Sequence, residues 1–360
     1  MIVLGIETSC DETSVAVVRD GRECLANVIH SQIGDHAPYR GVVPEIASRQ
    51  HLEKINSVYA RALELADIQA AELDCVAVTN RPGLVGSLMI GAQLARSVAL
   101  VHDLPIVAVD HLEAHLYAPC LEGWQPRYPF LGLLLSGGNS AIYRVEAPAR
   151  LSVLADTMDD ACGEAYDKIA SVLGLAYPGG PAIEACARRY HSENEAEAAG
   201  RATQEPSLFG RLLKNMPRER MAFSFSGIKT AVLRLGAELD GLDADERGRW
   251  LPRICHDFQW TVAELIERNL SRAVQHTGID TVVASGGVLA NEFLRNRLKL
   301  LANDNGFQLI YPQKKIHCTD NAGMVAALAY YLYRAYGPQA FAGFDFAVSS
   351  RRLSGAANPD

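Results

Sequence analysis

Apolar positions along the chain fall into short runs separated by turn residues, and the runs recur in the same order twice. The first run, Met1 to Ile6, is broken by Glu7 and then Asp11. With no basic flank and no small-residue cleavage site, it reads as a buried strand rather than a signal peptide. Helical periodicity covers Pro44 to Ala66, followed by a strand over Cys75 to Thr79 and the turn Arg81-Pro82-Gly83. A helix over Leu88 to His102 and a strand over Ile106 to Val109 close that unit. The later half repeats the order: a helix over Asp257 to Gln275, a strand over Thr281 to Ala284, and the turn Ser285-Gly286-Gly287. A helix near Asn291 to Leu301 and a strand over Gln308 to Tyr311 complete it. Such units build parallel sheets through right-handed crossovers. A hairpin precedes each unit, Gly5 to Val18 in one half and Gly132 to Val145 in the other, with short polar residues at its tip. Two sheets with opposed hairpin tips would make a cleft. Residues 156–253 carry no convincing strand and read as helical insertions; the tail from Ala347 reads as irregular.

At 360 residues the chain exceeds what one core usually organises, so two lobes are expected: 1–125, and 126–345 with the insert, followed by a tail over 346–360. The net charge of −8 argues against a generic nucleic-acid coat. Two local basic clusters, Arg211/Lys214/Arg218/Arg220 and Arg295/Arg297/Lys299, read first as solvated helix faces. The eight cysteines are scattered without metal or redox spacing, as reduced thiols of a reducing compartment would be. No run approaches the roughly 20 apolar residues of a membrane helix, so a soluble, cytoplasmic protein is expected.

Chemistry concentrates in a few places. His111 and His115 are four apart on an expected helix, so both imidazoles could meet one metal ion. A zinc protease would need His-Glu-x-x-His, but Leu112 follows His111 and Glu113 comes one place later. Asp320 precedes an apolar helix, where it is either an N-cap or a third ligand arriving from the second half. Ser136-Gly137-Gly138-Asn139 ends a buried strand with backbone donors suited to a phosphate. Ser285-Gly286-Gly287, with Asn291 after it, is a similarly placed candidate for a nucleoside pocket. Glu164, Asp167 and Lys168 are either surface ion pairs or cleft groups for ribose or a carboxylate, and Gly179-Gly180-Pro181 reads as a helix start. Together these predict a two-lobed α/β enzyme holding a nucleoside phosphate and one metal ion.

The order of motifs from residue 1 to about 340 resembles the tRNA N6-adenosine threonylcarbamoyltransferases, a family once read as glycoprotein peptidases. The resemblance rests on Gly5 to Thr13, Gly41 to Glu45, Pro82-Gly83-Leu84, His111/His115, Ser136-Gly137-Gly138, Gly163 to Lys168, Pro178 to Pro181, Phe223 to Gly227, and Cys318 to Asn321. Departures are Asn80-Arg81 before Pro82, Ala114 between the histidines, and Asn139-Ser140, of which Asn139 resembles the archaeal and eukaryotic form. The resemblance implies a duplicated actin-like fold, ribonuclease H-like in each half and shared with chaperone ATPases and sugar kinases. It implies transfer of threonylcarbamoyl from threonylcarbamoyl-AMP to the N6 amine of the adenosine 3′ of the anticodon in tRNAs reading ANN codons. It places a divalent ion, Fe2+ or Zn2+, on His111, His115 and Asp320. The adenylate falls to Leu134, Leu135, Ser136, Gly137, Gly138, Asn139, Asp167, Gly180 and Asn291, with Glu184 as a ribose contact. Asp11 and Glu12 are candidates for taking the amine proton, or alternatively for holding a second cation or shaping the loop. Expected partners are tRNA, a small inactive paralogue and a P-loop ATPase. An actin-like ATPase or phosphotransferase, and a non-catalytic scaffold, are the rival readings.

Overall fold

The computed structural model describes residues 1–198, 207–210, 212, 221–239, 241 and 243–352. The cluster Arg211/Lys214/Arg218/Arg220 lies outside them.

Eleven strands among the described residues form two sheets. The first sheet uses β1 (Ile2–Glu7), β2 (Glu12–Arg19), β3 (Glu23–Ser31), β4 (Cys75–Arg81) and β5 (Ile106–Asp110), in the order β3-β2-β1-β4-β5. The second uses β6 (Phe130–Leu135), β7 (Ser140–Ala147), β8 (Arg150–Thr157), β9 (Ala222–Phe223), β10 (Thr281–Ser285) and β11 (Gln308–Ile310). Its order is β11-β10-β6-β7-β8-β9, so without β9 it repeats the first sheet strand for strand. The pairing senses agree as well: β1–β2 and β6–β7 are antiparallel, whereas β1–β4 and β6–β10 are parallel. The duplication read from hydrophobic runs is therefore present in topology.

The helices are α1 (Ile33–His36), α2 (Pro44–Ala66), α3 (Val85–His102), α4 (His111–Tyr117), α5 (Cys162–Val172) and α6 (Gly179–Ala198). Then come α7 (Ser226–Leu239), α8 (Ala244–Thr277), α9 (Glu292–Asn305) and α10 (Ala322–Tyr336). The central strands are apolar at nearly every position because both of their faces are covered. Leu4, Ile6, Val15, Val17, Val76 and Val78 pack with Ile55, Val58, Ala95 and Val98 of α2 and α3. Val3, Ala16, Cys75, Ala77 and Val107 face the other way, toward α4 and α10. In the second sheet, Leu131, Leu133 and Leu135 face α5, α7 and α8, while Phe130 and Leu134 join the layer of α4 and α10. Two sheets thus share a middle layer of two helices. Helix α3 is apolar enough by composition to cross a membrane, but it packs on β4 and α2.

Two expectations need correction. The segment read as purely helical, 156–253, contributes β9, which pairs parallel to β8 through Asp156↔Ala222 and Thr157↔Phe223. Two residues are too few to show a period. The division at residue 125 is also crossed: α10, late in the chain, packs on β1, β2, β4 and β5 of the first sheet. Conversely α4, from the first half, touches β6 and β10 of the second. These two helices follow the equivalent strands β5 and β11, so each half sends its last helix to the other.

Candidate active site

The helix exchange brings the N-termini of α4 and α10 together, and the three candidate metal ligands sit there. Asp110 caps α4 by accepting from the backbone N–H groups of Leu112 and Glu113, at 2.9 and 3.3 Å. Asn321, not Asp320, caps α10, accepting from Met324 N at 3.1 Å. That removes the capping alternative, and the Asp320 carboxylate faces the histidines instead. Its Oδ1 lies 3.1 Å from His115 Nε2, and its Oδ2 lies 3.6 Å from His111 Nε2. One ligand atom from each of the three residues falls within 4.8 Å of the others.

Two features fit these residues to a metal ion. His115 is fully buried, yet neither ring nitrogen makes a hydrogen bond among the described residues despite the short approach to Asp320. Such orphaned polar atoms are costly unless something else satisfies them. His111 turns its other nitrogen, Nδ1, to Glu7 Oε2 at 3.0 Å, the carboxylate backing common behind metal-bound imidazoles. Glu7 is itself buried and held by Thr79 Oγ1 and Ser9 N, both at 2.5 Å. Burial disfavours the charge on Glu7, but His111 outweighs it and keeps the carboxyl below its ordinary value. Burial likewise opposes a charged His111, yet Glu7 and Asp320 raise it to about 9. Against its own burial, Asp320 is held at about 2 by His111 and His115. Two imidazoles and one carboxylate suit Fe2+ or Zn2+ alike.

Glu113, between the histidines, faces elsewhere: its Oε1 accepts from Ala149 N at 2.7 Å, and burial pushes its carboxyl up to about 8. It is a staple to the second lobe, which removes the remaining candidate for a protease glutamate. Arg81, the departure before Pro82, lies with Nε 3.5 Å from Asp110 Oδ2 and so joins the cap of α4.

Around this centre the two hairpin tips have equivalent neighbours. In the first lobe Leu84 N donates to Ser9 O at 2.8 Å, and His51 holds the tip through Cys10 O and Thr13 Oγ1. Glu12 is pushed well above the usual carboxylate range by burial, then by Asp11 and Asp320. Burial also pushes the Cys10 thiol up, with Asp11 and Asp320 adding to it, so Cys10 is no thiolate nucleophile. The field of Asp11 reaches Asp167 and Tyr177 of the second lobe, placing acidic groups on both sides of one cleft.

In the second lobe, Leu134 and Leu135 are buried in β6, and the loop Ser136 to Asn139 follows. Gly163 N and Glu164 N, at the start of α5, donate to Ser136 O and Gly137 O at 3.2 and 3.1 Å. Gly286 reaches the base of the loop with φ +105°, and a Cβ there would meet Leu135 O at 2.3 Å, so only glycine fits. The two glycine turns are thus side by side at the ends of β6 and β10, both in the second lobe. Asp167 Oδ1 accepts from Gly179 N at 2.7 Å, tying α5 to the start of α6. Glu184, one turn into α6, accepts from Glu292 N at 2.9 Å and from Arg188 at 3.1 Å. Asn291 Oδ1 caps α9 through Leu294 N, leaving its buried Nδ2 without a partner among the described residues, as is Ser285 Oγ. A Cβ on Gly137, Gly138 or Gly180 would meet nothing within 4 Å, and none of the three needs a positive φ. Nothing within the fold requires glycine at these exposed or half-exposed places.

Other candidates are spoken for locally. Lys168 pairs with Glu164 and Asp160, both at 2.7 Å, the surface pairing rather than a cleft role. Arg297 grips Glu267 with both arms at 2.6 Å and stacks on Trp260, while Arg295 binds Leu289 O and Cys318 Sγ. Sequence reasoning missed Glu7, Ser9 and Thr79; an acid inside a fully buried strand was the available signal for Glu7.

Comparison with known proteins places the chain in a family. The family model described as tRNA N6-adenosine threonylcarbamoyltransferase matches residues 23–327. A protein of that name from Leptospira interrogans serovar copenhageni is 50% identical over 352 residues, covering 98% of each chain. One from Syntrophomonas wolfei is 42% identical over 343 residues, 94% of each. Among solved structures, full-length HypF in its phosphate- and nucleotide-bound form aligns with a TM-score of 0.58 at 16% identity. It covers 93% of this chain and 47% of HypF, and supports the duplicated actin-like α/β fold.

Proposed function

The chain belongs to the tRNA N6-adenosine threonylcarbamoyltransferase family, transferases that modify tRNA, and from that premise we propose the reaction its cleft performs. The threonylcarbamoyl group passes from threonylcarbamoyl-AMP to the N6 amine of the adenosine 3′ of the anticodon in tRNAs reading ANN codons. The amine nitrogen bonds to the carbamoyl carbon, the bond from that carbon to the phosphate oxygen breaks, and AMP leaves with the electron pair. One observation carries the reading: His111, His115 and Asp320 converge from two lobes, in a fold whose second hairpin ends in a glycine loop with no packing demand for glycine at Gly137 or Gly138 among the described residues.

The chain's residues divide the work. Gly137 and Gly138 offer backbone N–H groups to the phosphate, and Ser136 and Asn139 frame them. Asn291 Nδ2 and Ser285 Oγ are donors without protein partners, suited to the nucleoside. Asp167 and Gly180 stand at the start of α6, with Glu184 behind them bracing α9. A divalent ion on His111, His115 and Asp320 would supply Lewis acidity and positive charge in an otherwise acidic cleft. Glu12, whose raised proton affinity makes it a stronger base once ionised, takes the proton lost by the amine, with Asp11 beside it. An ATPase of the same fold would have no use for two imidazoles, since magnesium prefers oxygen ligands. The tRNA, a small paralogue and a P-loop ATPase are the proposed partners.

Gly137→Val tests the loop. Because a side chain there meets no protein atom, the variant should melt with the wild type. Its dissociation constant for AMP should rise about tenfold or more, since the valine occupies the phosphate position. Calorimetry that finds equal affinity in the folded variant would exclude this loop as the phosphate site.

A further inference from the structure

The segment after α10 is irregular, as its sequence suggests, but it follows a fixed path. Ala342 N donates to Ile106 O at 2.8 Å on the edge of the first sheet. Arg96 of α3 then donates to Phe344 O and Phe346 O at 2.8 and 2.7 Å, with its guanidinium 4.5 Å from the Phe346 ring centroid. Asn80 clasps the next turn from both sides, donating to Ala347 O at 3.1 Å and accepting from Ser349 N at 2.9 Å. After these clips on the first lobe, the strap crosses to the second. There Arg352 donates through Nη1 to Asp156 Oδ2 at 2.8 Å and through Nη2 to the side-chain oxygen of Asn139.

Ordering a dozen residues of coil costs conformational entropy that such backbone clips must offset. What the path delivers is one guanidinium at the tip of the glycine loop. Beneath it the buried Tyr143 hydroxyl has no hydrogen-bond partner among the described residues, and the charges of Arg352 and Asp156 both act on it. Acidic groups, Asp11, Glu12, Asp167 and Asp320 among them, reach this cleft, and the reaction proposed above brings in a substrate with a phosphate and a carboxylate. Arg352 spends one donor on each of its two partners, leaving others of its five N–H groups for a ligand.

We infer that Arg352, carried across the cleft by the strap, binds an oxyanion of the adenylate substrate beside Asn139. The inference rests on the proposed reaction for the identity of that substrate, and phosphoryl and carboxylate oxygens offer the same chemistry to a guanidinium.

The test measures binding by calorimetry, without tRNA or turnover, using adenosine, AMP and a non-hydrolysable sulfamoyl analogue of threonylcarbamoyl-AMP. Arg352→Ala should melt with the wild type. A tenfold or greater loss of affinity for both AMP and the analogue, with adenosine unchanged, assigns Arg352 to the phosphoryl group. A loss confined to the analogue assigns it to the carboxylate. Arg96→Ala, which frees the strap far from the cleft, should weaken the same ligands at least threefold. If Arg352→Ala binds all three ligands like the wild type, or weakens adenosine equally, the guanidinium only fastens the strap and the inference fails. A protein that binds these ligands as expected but never modifies tRNA would overturn the proposed reaction instead, so the two failures are separable.

Discussion

Asp320→Ala is expected to lose its bound metal ion and about a thousandfold in transfer to tRNA, while keeping close to the wild-type melting temperature. The carboxylate is 21% exposed and caps no helix, because Asn321 holds that role, so its removal opens no backbone donor. What it does remove is the one proposed ligand that comes from the second half, two residues before α10 begins. Two histidines on a single short helix are a weak site without a third partner, and metal sites of this kind need three protein ligands. His111→Ala should also empty the site, but at a different structural cost. Glu7 would remain buried and ionisable with its cationic partner gone, a loss of about 3 kcal/mol or more. The two variants should therefore match in metal content and differ in stability. Metal analysis of purified protein beside thermal melts reads both, and a full equivalent of metal in Asp320→Ala would overturn the ligand assignment.

The second large effect arises far from any ligand. Gly5 lies mid-strand in β1, paired with Ala16 and Ala77, where α10 crosses closest. A Cβ there would sit 2.2 Å from Ala322 O and 3.1 Å from Ala326 Cβ. The obstruction is backbone at the first turn of α10, so no rotamer change relieves it. Gly5→Val should destabilise the protein by about 3 kcal/mol or more. Whatever folds should have α10 displaced and its metal affinity reduced, since Asp320 stands two residues before Ala322. Gly34→Val is the contrasting control, because a Cβ there meets nothing within 4 Å. Equal melting of the Gly5 and Gly34 variants would mean that α10 does not seat against β1 as described.

The duplicated architecture was legible because central strands buried on both faces leave continuous apolar runs, as in Val76 to Val78 and Val282 to Ala284. Edge strands leave no such trace. β3 has one fully buried position, Ala26, among nine residues, and neither it nor β8 was foreseen. Helix α8 runs to 34 residues instead of starting near Asp257, since Asp243 caps it and the helix continues through Pro252. The exchange of α4 and α10 is a non-local packing choice, and no period in either segment encodes which sheet it meets. At the site, spacing and turn residues marked the histidines and glycine loops. The distinction between Asp320 as cap and as ligand needed coordinates, because both roles place a carboxylate at the same helix end. Glu7 lies 104 residues from His111, and Arg352 lies 196 and 213 residues from Asp156 and Asn139, beyond any local pattern.

The central claim is that this cleft installs threonylcarbamoyl on tRNA. Mass analysis of nucleosides from total tRNA of cells depleted of the protein tests it most directly. N6-threonylcarbamoyladenosine should disappear, return with the wild-type chain, and stay absent with Asp320→Ala expressed at the same level. Unchanged amounts of that nucleoside after depletion, or full restoration by Asp320→Ala, would contradict it.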